Sequence, residues 1–89
     1  MVSAIVKVTN PMGLHMRPAQ LFVREMTPFA SEVTILYGGR IINAKSIMNL
    51  MAACIKYGAE IEIRCSGNQE QAMLAEAVSL VENKLGDSD

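Results

Sequence analysis

Apolar residues recur with two different periods along this chain, and the switches between them mark out its elements. Val2, Ala4, Val6 and Val8 alternate with Ser3, Ile5, Lys7 and Thr9, a period of two that predicts a strand with one face toward a core. Asn10-Pro11-Met12-Gly13 breaks the run. From Pro18 onward, Ala19, Phe22, Val23 and Met26 fall at i, i+3, i+4 and i+7, the stripe of an amphipathic helix that Pro28 terminates. Glu32 to Tyr37 and Arg40 to Asn43 are rich in β-branched or aromatic residues, and the Gly38-Gly39 link between them predicts a tight antiparallel hairpin. Ser46 is a favourable N-cap for a short helix from Ile47 to Cys54, with Leu50, Ala53 and Cys54 toward the core and Gly58 as a stop. Ala59, Ile61, Ile63 and Cys65 alternate with Glu60, Glu62 and Arg64, which predicts a fourth strand. After a turn at Gly67-Asn68, Met73, Ala77, Leu80 and Val81 stripe a last helix. Glu70 falls in its first turn, Lys84 in its last, and Gly86 caps it. Asp87-Ser88-Asp89 is expected to fray.

The resulting order is β-α-β-β-α-β-α. Polar outer faces on the strands favour an α+β fold with one sheet covered by helices on a single side.

Composition narrows the picture. With 89 residues, 51% of them hydrophobic, the chain is expected to form a single domain over 1–89 whose modest core needs no metal or disulfide. The net charge of -1 comes from eight basic and nine acidic side chains spread along the chain, so no basic face points to nucleic acid. No apolar run approaches the roughly 20 residues that span a bilayer. Met1 to Asn10 lacks the basic start and apolar run of a secretory signal, so membrane insertion is not expected and the expected compartment is the cytoplasm. Cys54 and Cys65 lack a Cys-x-x-Cys spacing and are read as buried apolar residues, with no metal or cofactor assigned.

Candidate chemistry gathers in Gly13-Leu14-His15-Met16-Arg17-Pro18-Ala19, where the only histidine of the chain stands just ahead of a helix. The first N–H groups of a helix lack partners within it and carry partial positive charge, which suits a phosphoryl group. Pro18 at the first helical position surrenders an N–H the helix does not need, and Gly13 lets the preceding loop turn sharply. His15 is expected to present a nucleophilic ring there. Arg17 is close enough to give charge-assisted hydrogen bonds to phosphoryl oxygens. No Ser/His/Asp set and no Gly-x-x-x-x-Gly-Lys loop accompanies them, so the equipment for binding a nucleotide or completing hydrolysis is missing. Residue chemistry alone leaves open whether His15 is such a nucleophile or an ordinary loop residue beside ordinary helix-start residues.

Gly13 to Ala19 resembles the active-site segment of the HPr family, the histidine-containing phosphocarriers of the bacterial sugar phosphotransferase system. The likeness runs nearly end to end: length, element order, the Gly38-Gly39 hairpin, and Asn43-Ala-Lys-Ser-Ile-Met-Asn-Leu-Met51, which is similar to the family's regulatory region in Gram-positive and related bacteria. It implies an open-faced β-sandwich, a four-stranded antiparallel sheet with three helices on one face. The implied protein is a carrier and not an enzyme, with His15 phosphorylated on Nδ1 by enzyme I at the expense of phosphoenolpyruvate and discharged to sugar-specific IIA domains. Arg17 would orient the phosphate and Pro18 would start the helix. Ser46 matches the position phosphorylated by HPr kinase/phosphorylase in forms that bind catabolite control protein A, and a plain N-cap role is compatible with that.

Ile47, Met48 and Met51 add apolar surface to a short helix. With Met16, Gln20, Leu21 and Arg24 of the first helix, they are read as a docking face. A monomer is expected. Three positions depart from the family pattern: Met16 replaces a small residue or threonine, Cys54 stands where glycine is frequent, and Thr27 replaces a commonly basic residue. Two other classes remain as alternatives, an acylphosphatase-like hydrolase and a purely regulatory module working through Ser46.

Overall fold

The protein, seen in a computed structural model that describes residues 1–86, folds in the order β1 (Val2–Lys7), α1 (Met16–Met26), β2 (Glu32–Tyr37), β3 (Arg40–Asn43), α2 (Ile47–Ala52), β4 (Glu60–Ser66) and α3 (Glu70–Glu82). A short 3-10 turn, Lys84–Gly86, completes the described chain. The four strands form one antiparallel sheet in the order β1-β4-β2-β3. Helix α3 lies across β1 and β4, α2 packs beside β3, and α1 sits against both other helices. This is the open-faced sandwich expected from the sequence.

The period-two positions explain which face is covered. Val6, Val33, Ile35, Ile42, Ile61, Ile63 and Cys65 are buried beneath the helices, where Phe22, Met26, Leu50, Met73, Ala77 and Val81 meet them. Opposite pleats stay in solvent, and the register Ile5–Glu62–Leu36–Ile41 makes one row across the open face. The β2–β3 hairpin turns through Gly38 and Gly39 with φ of 59° and 80°. Positive φ at both central residues is the geometry that matches the strand twist in a two-residue hairpin.

Several boundaries differ from the sequence reading. Helix α1 begins at Met16, so Pro18 is its third residue rather than its first, and His15 is itself the N-cap. The first intrahelical bond runs from the Ala19 amide to the His15 carbonyl, 3.0 Å, so Pro18 still lies within the turn whose N–H groups the helix does not use. Helix α2 stops at Ala52 instead of reaching Cys54. Cys54 adopts φ 54° and its side chain is exposed, which corrects its reading as a core residue; Cys65 is buried as expected. Left-handed backbone swings the Cys54 side chain off the helix face that buries Leu50 and Ala53. Helix α3 ends at Glu82 with Asn83 as its C-cap, so Lys84 lies beyond the helix and Gly86 is not its cap. The Asn83 Nδ2 donates to the Ser79 carbonyl at 2.8 Å, satisfying a terminal acceptor, and left-handed Lys84 and Leu85 then turn the Leu85 side chain into the core. The expected fraying at Asp87-Ser88-Asp89 lies outside the described residues.

Cys54 has a measurable effect on stability. A left-handed conformation costs a residue bearing Cβ about 1–2 kcal/mol, of which about 0.5–1 kcal/mol is offset when glycine frees the unfolded chain. Cys54→Gly is therefore expected to raise stability by about 0.5–1 kcal/mol and the melting temperature by roughly 4 °C. Thermal unfolding checks this. A thiol reagent should modify native Cys54 quickly, whereas Cys65, its thiol pushed above its ordinary value first by burial and then by the Glu70 charge, should react only on unfolding.

The start of α3 is pinned by a small polar network. Buried Ser31 accepts a 2.8 Å hydrogen bond from the Gln69 amide, the Gln69 side chain accepts from the Ala30 amide at 2.8 Å, and Glu70 accepts from the Gly67 amide at 3.1 Å. The Glu70 carboxyl is held below its ordinary value by the Gly67 amide and then by the Met1 ammonium, which lies 3.2 Å away. A lowered folded-state value means that this contribution is present above the unfolded value near 4.5 and is lost as pH falls through the folded one. Glu70→Gln should thus lower the melting temperature at neutral pH and converge with the unaltered chain in acid. A difference independent of pH would exclude this account.

Candidate functional site

His15 sits where two constraints meet. Upstream, the Gly13 amide donates to the Asn10 carbonyl at 3.0 Å, and the Asn10 side chain returns a hydrogen bond to the Gly13 carbonyl. The Leu14 amide donates to the Ile55 carbonyl at 2.9 Å, tying the loop to the α2–β4 connection, and the Leu14 side chain is buried. Downstream, α1 is anchored in the core by Ala19, Phe22 and Met26. The His15 backbone between these anchors is extended, with φ -78° and ψ -171°, and its side chain makes no capping bond to the helix. The ring is partly exposed at the helix mouth.

Gly13 explains how the loop lies so close. Its φ is 67°, and a Cβ there would fall 2.4 Å from the Ile55 carbonyl oxygen and 2.8 Å from the Lys56 Cα. Only glycine lets these two backbones touch. The sharp turn has a sequence signal in the glycine itself; the contact with Ile55 and Lys56, over forty residues along the chain, has none.

Pro18 contributes no N–H, so the donors at the helix mouth are the amides of Met16 and Arg17. Oriented amides at a helix N-terminus form an anion-binding end. The Arg17 side chain is exposed, and none of the ion pairs among the described residues uses it. Arg17, Gln20, Leu21 and Arg24 line a shallow depression of 280 Å³ completed by Leu85 and Gly86. The first four are expected from sequence. Leu85 and Gly86 escape the sequence pattern because residues 84–86 read as the end of a helix, whereas the turn there folds them back against α1.

Ser46 caps α2, its Oγ accepting from the Asn49 amide at 3.2 Å. Met48 is 81% exposed, Met16 54% and Met51 38%, while Ile47 is half-buried. The seven proposed docking residues therefore lie on α1 and α2, which pack against each other, with Ile47 among the less available of them. Thr27 serves as the C-cap of α1 and its hydroxyl donates to the Val23 carbonyl at 2.6 Å. No group of three or more metal-ligating side chains occurs among the described residues.

Comparisons with known proteins agree on one family. Residues 2–83 match the family model described as the PTS HPr component phosphorylation site. The phosphocarrier protein HPr of Buchnera aphidicola is 39% identical over 80 residues, covering 90% of this chain and 93% of the relative. The crystal structure of HPr-C-His from Thermoanaerobacter tengcongensis superposes with a TM-score of 0.95 at 31% identity, covering 100% of each chain. Crh of Bacillus subtilis, a catabolite repression protein crystallised as a dimer with a swapped domain, superposes with a TM-score of 0.76 at 38% identity over 94% of this chain and 97% of that one.

Proposed function

Because the chain belongs to the PTS HPr family of phosphocarrier proteins, which are carriers and not enzymes, we propose that it takes a phosphoryl group from phosphorylated enzyme I onto His15 and delivers it to sugar-specific IIA domains. The observation that carries the reading is the position of the one imidazole of the chain. It is the N-cap of an eleven-residue helix, reachable from solvent, with the Met16 and Arg17 amides and the Arg17 guanidinium on the adjoining turn.

In the forward step the Nδ1 lone pair attacks phosphorus, a P–N bond forms, and the bond from phosphorus to the donor breaks with its electron pair returning to the donor. Arg17 neutralises the arriving charge and orients the oxygens. Pro18 leaves the mouth of the helix open by supplying no N–H and fixes the entry of the chain. The same groups serve the reverse geometry when a IIA domain attacks, so no water-activating base is required. Met16, Gln20, Leu21 and Arg24, with Ile47, Met48 and Met51, form the face on which enzyme I and IIA domains dock.

Ser46 is the regulatory site in this reading, modified by HPr kinase/phosphorylase to a form recognised by catabolite control protein A. Similarity to Crh supports that branch. The transferring species is proposed to be a cytoplasmic monomer, the dimeric Crh relative marking the alternative that light scattering distinguishes; no described helix is long and apolar enough to cross a membrane.

The deciding experiment combines the chain with phosphoenolpyruvate, enzyme I and a IIA domain. One acid-labile phosphate should appear on the chain and pass to IIA, and serine kinase with ATP should add an acid-stable phosphate that Ser46→Ala abolishes. Absence of acid-labile labelling would leave only a regulatory module.

A further inference from the structure

The phosphocarrier reading assigns no role to Arg40, which opens β3, an edge strand of the sheet. Its Nη2 reaches across to donate a 2.7 Å hydrogen bond to the carbonyl of Ala53, the C-cap residue of α2. Helix α2 has only six residues, too few to hold its own end in place. The last carbonyls of a helix lack donors within it, and a guanidinium there both satisfies one of them and faces the negative end of the dipole.

The segment beyond Ala53 leads directly to the site. Cys54 reverses the chain through φ 54°, and Ile55 enters the core at 2% exposure. The Ile55 carbonyl then accepts the Leu14 amide at 2.9 Å, one residue before His15. Gly13 presses on the same carbonyl so closely that no Cβ fits between them. The backbone ahead of His15 is thus moulded on residues 55 and 56, and these hang from a helix end fixed by Arg40.

We infer that Arg40 is a positioning residue for His15, acting through the Ala53 carbonyl and the Cys54–Ile55 bend, an inference that rests on the phosphocarrier reading. Arg40 stands on β3, and its guanidinium is bonded to the end of α2. Its loss changes where the imidazole stands when a docked donor presents phosphorus, and a misplacement on the order of 1 Å or less lowers the rate of an in-line transfer without weakening docking.

The test uses the full chain with phosphorylated enzyme I as donor. Arg40→Met should lower the transfer rate at saturating donor about three- to tenfold while the half-saturating concentration changes less than about twofold. Hydrogen exchange at the Leu14 amide should accelerate at least about threefold with α3 amides unchanged. Arg40→Lys, which restores one donor, should recover a substantial part of both. An unchanged rate and unchanged Leu14 exchange in Arg40→Met would overturn the inference, as would equal acceleration at every amide, the mark of general destabilisation. If the unaltered chain accepts no phosphoryl group, the phosphocarrier reading fails, and Leu14 exchange alone decides whether Arg40 holds the loop.

Discussion

His15→Ala is expected to remove all acid-labile phosphate from the chain, a loss of at least about 10⁴-fold in transfer, because no second nucleophile stands at the helix mouth to share the step. His15 makes no side-chain capping bond to α1, and its backbone role, offering a carbonyl to Ala19, survives the substitution. Thermal unfolding of the variant, run beside the transfer assay, separates loss of chemistry from loss of fold. Arg17→Ala should be milder. It deletes charge-assisted hydrogen bonds worth about 1.5–3 kcal/mol and slows transfer roughly 10- to 150-fold, with Arg17→Lys between the two because it keeps charge without the fork. Quenched-flow transfer from phosphorylated enzyme I measures each variant, and acid-labile label on His15→Ala would refute the assignment of the acceptor.

The largest structural effect is expected at Gly13. Alanine there must hold φ 67°, at about 1–2 kcal/mol, and must also displace backbone, since its Cβ would meet the Ile55 oxygen at 2.4 Å and the Lys56 Cα at 2.8 Å. Backbone cannot rotate away as a flexible side chain can. A total of about 3 kcal/mol or more is expected, the range of strain at a special backbone position added to overpacking. The melting temperature should fall by roughly 12 °C or more, at about 4–8 °C per kcal/mol for a domain of this size. Relief of the clash requires the Leu14–Ile55 hydrogen bond to open, so folded Gly13→Ala should also transfer phosphate slowly at saturating donor. Gly38→Ala provides the contrast: nothing lies within 4 Å of its Cβ position, so only the conformational cost applies. Equal losses for the two variants would show that the contact with residues 55 and 56 does not matter.

How far the site was legible depended on whether its causes were local. The stripe Ala19, Phe22, Val23 and Met26 and the alternation in β1 and β4 come from side-chain periodicity, which each segment carries on its own, and the structure buries most of those residues, with Val2, Ala4, Val23 and Ala59 half-buried. Ser46 as an N-cap is equally local, since its hydroxyl bonds an amide three residues on. Local pattern misleads at Cys54, where apolar spacing suggests another turn of helix. The α2 end is instead set by the Arg40 hydrogen bond to Ala53, and the chain must reverse there to bring Ile55 beneath Leu14. The same limit applies at the end of α3. Lys84 reads as a dipole partner, yet the burial of Leu85 against α1 demands two left-handed residues in succession.

The seven main elements, the buried faces of β1, α1, β4 and α3, the capping serine and the single histidine before a helix were written into the linear pattern, because each depends on residues within one or two turns of each other. The strand order β1-β4-β2-β3, the partnership of Gly13 with Ile55 and Lys56, the reach of Arg40 to Ala53 and the folding of Leu85 and Gly86 beside Arg17 emerged only in three dimensions. Those contacts join segments distant along the chain, and nothing in either segment's own periodicity or propensity encodes which partner close packing will bring against it.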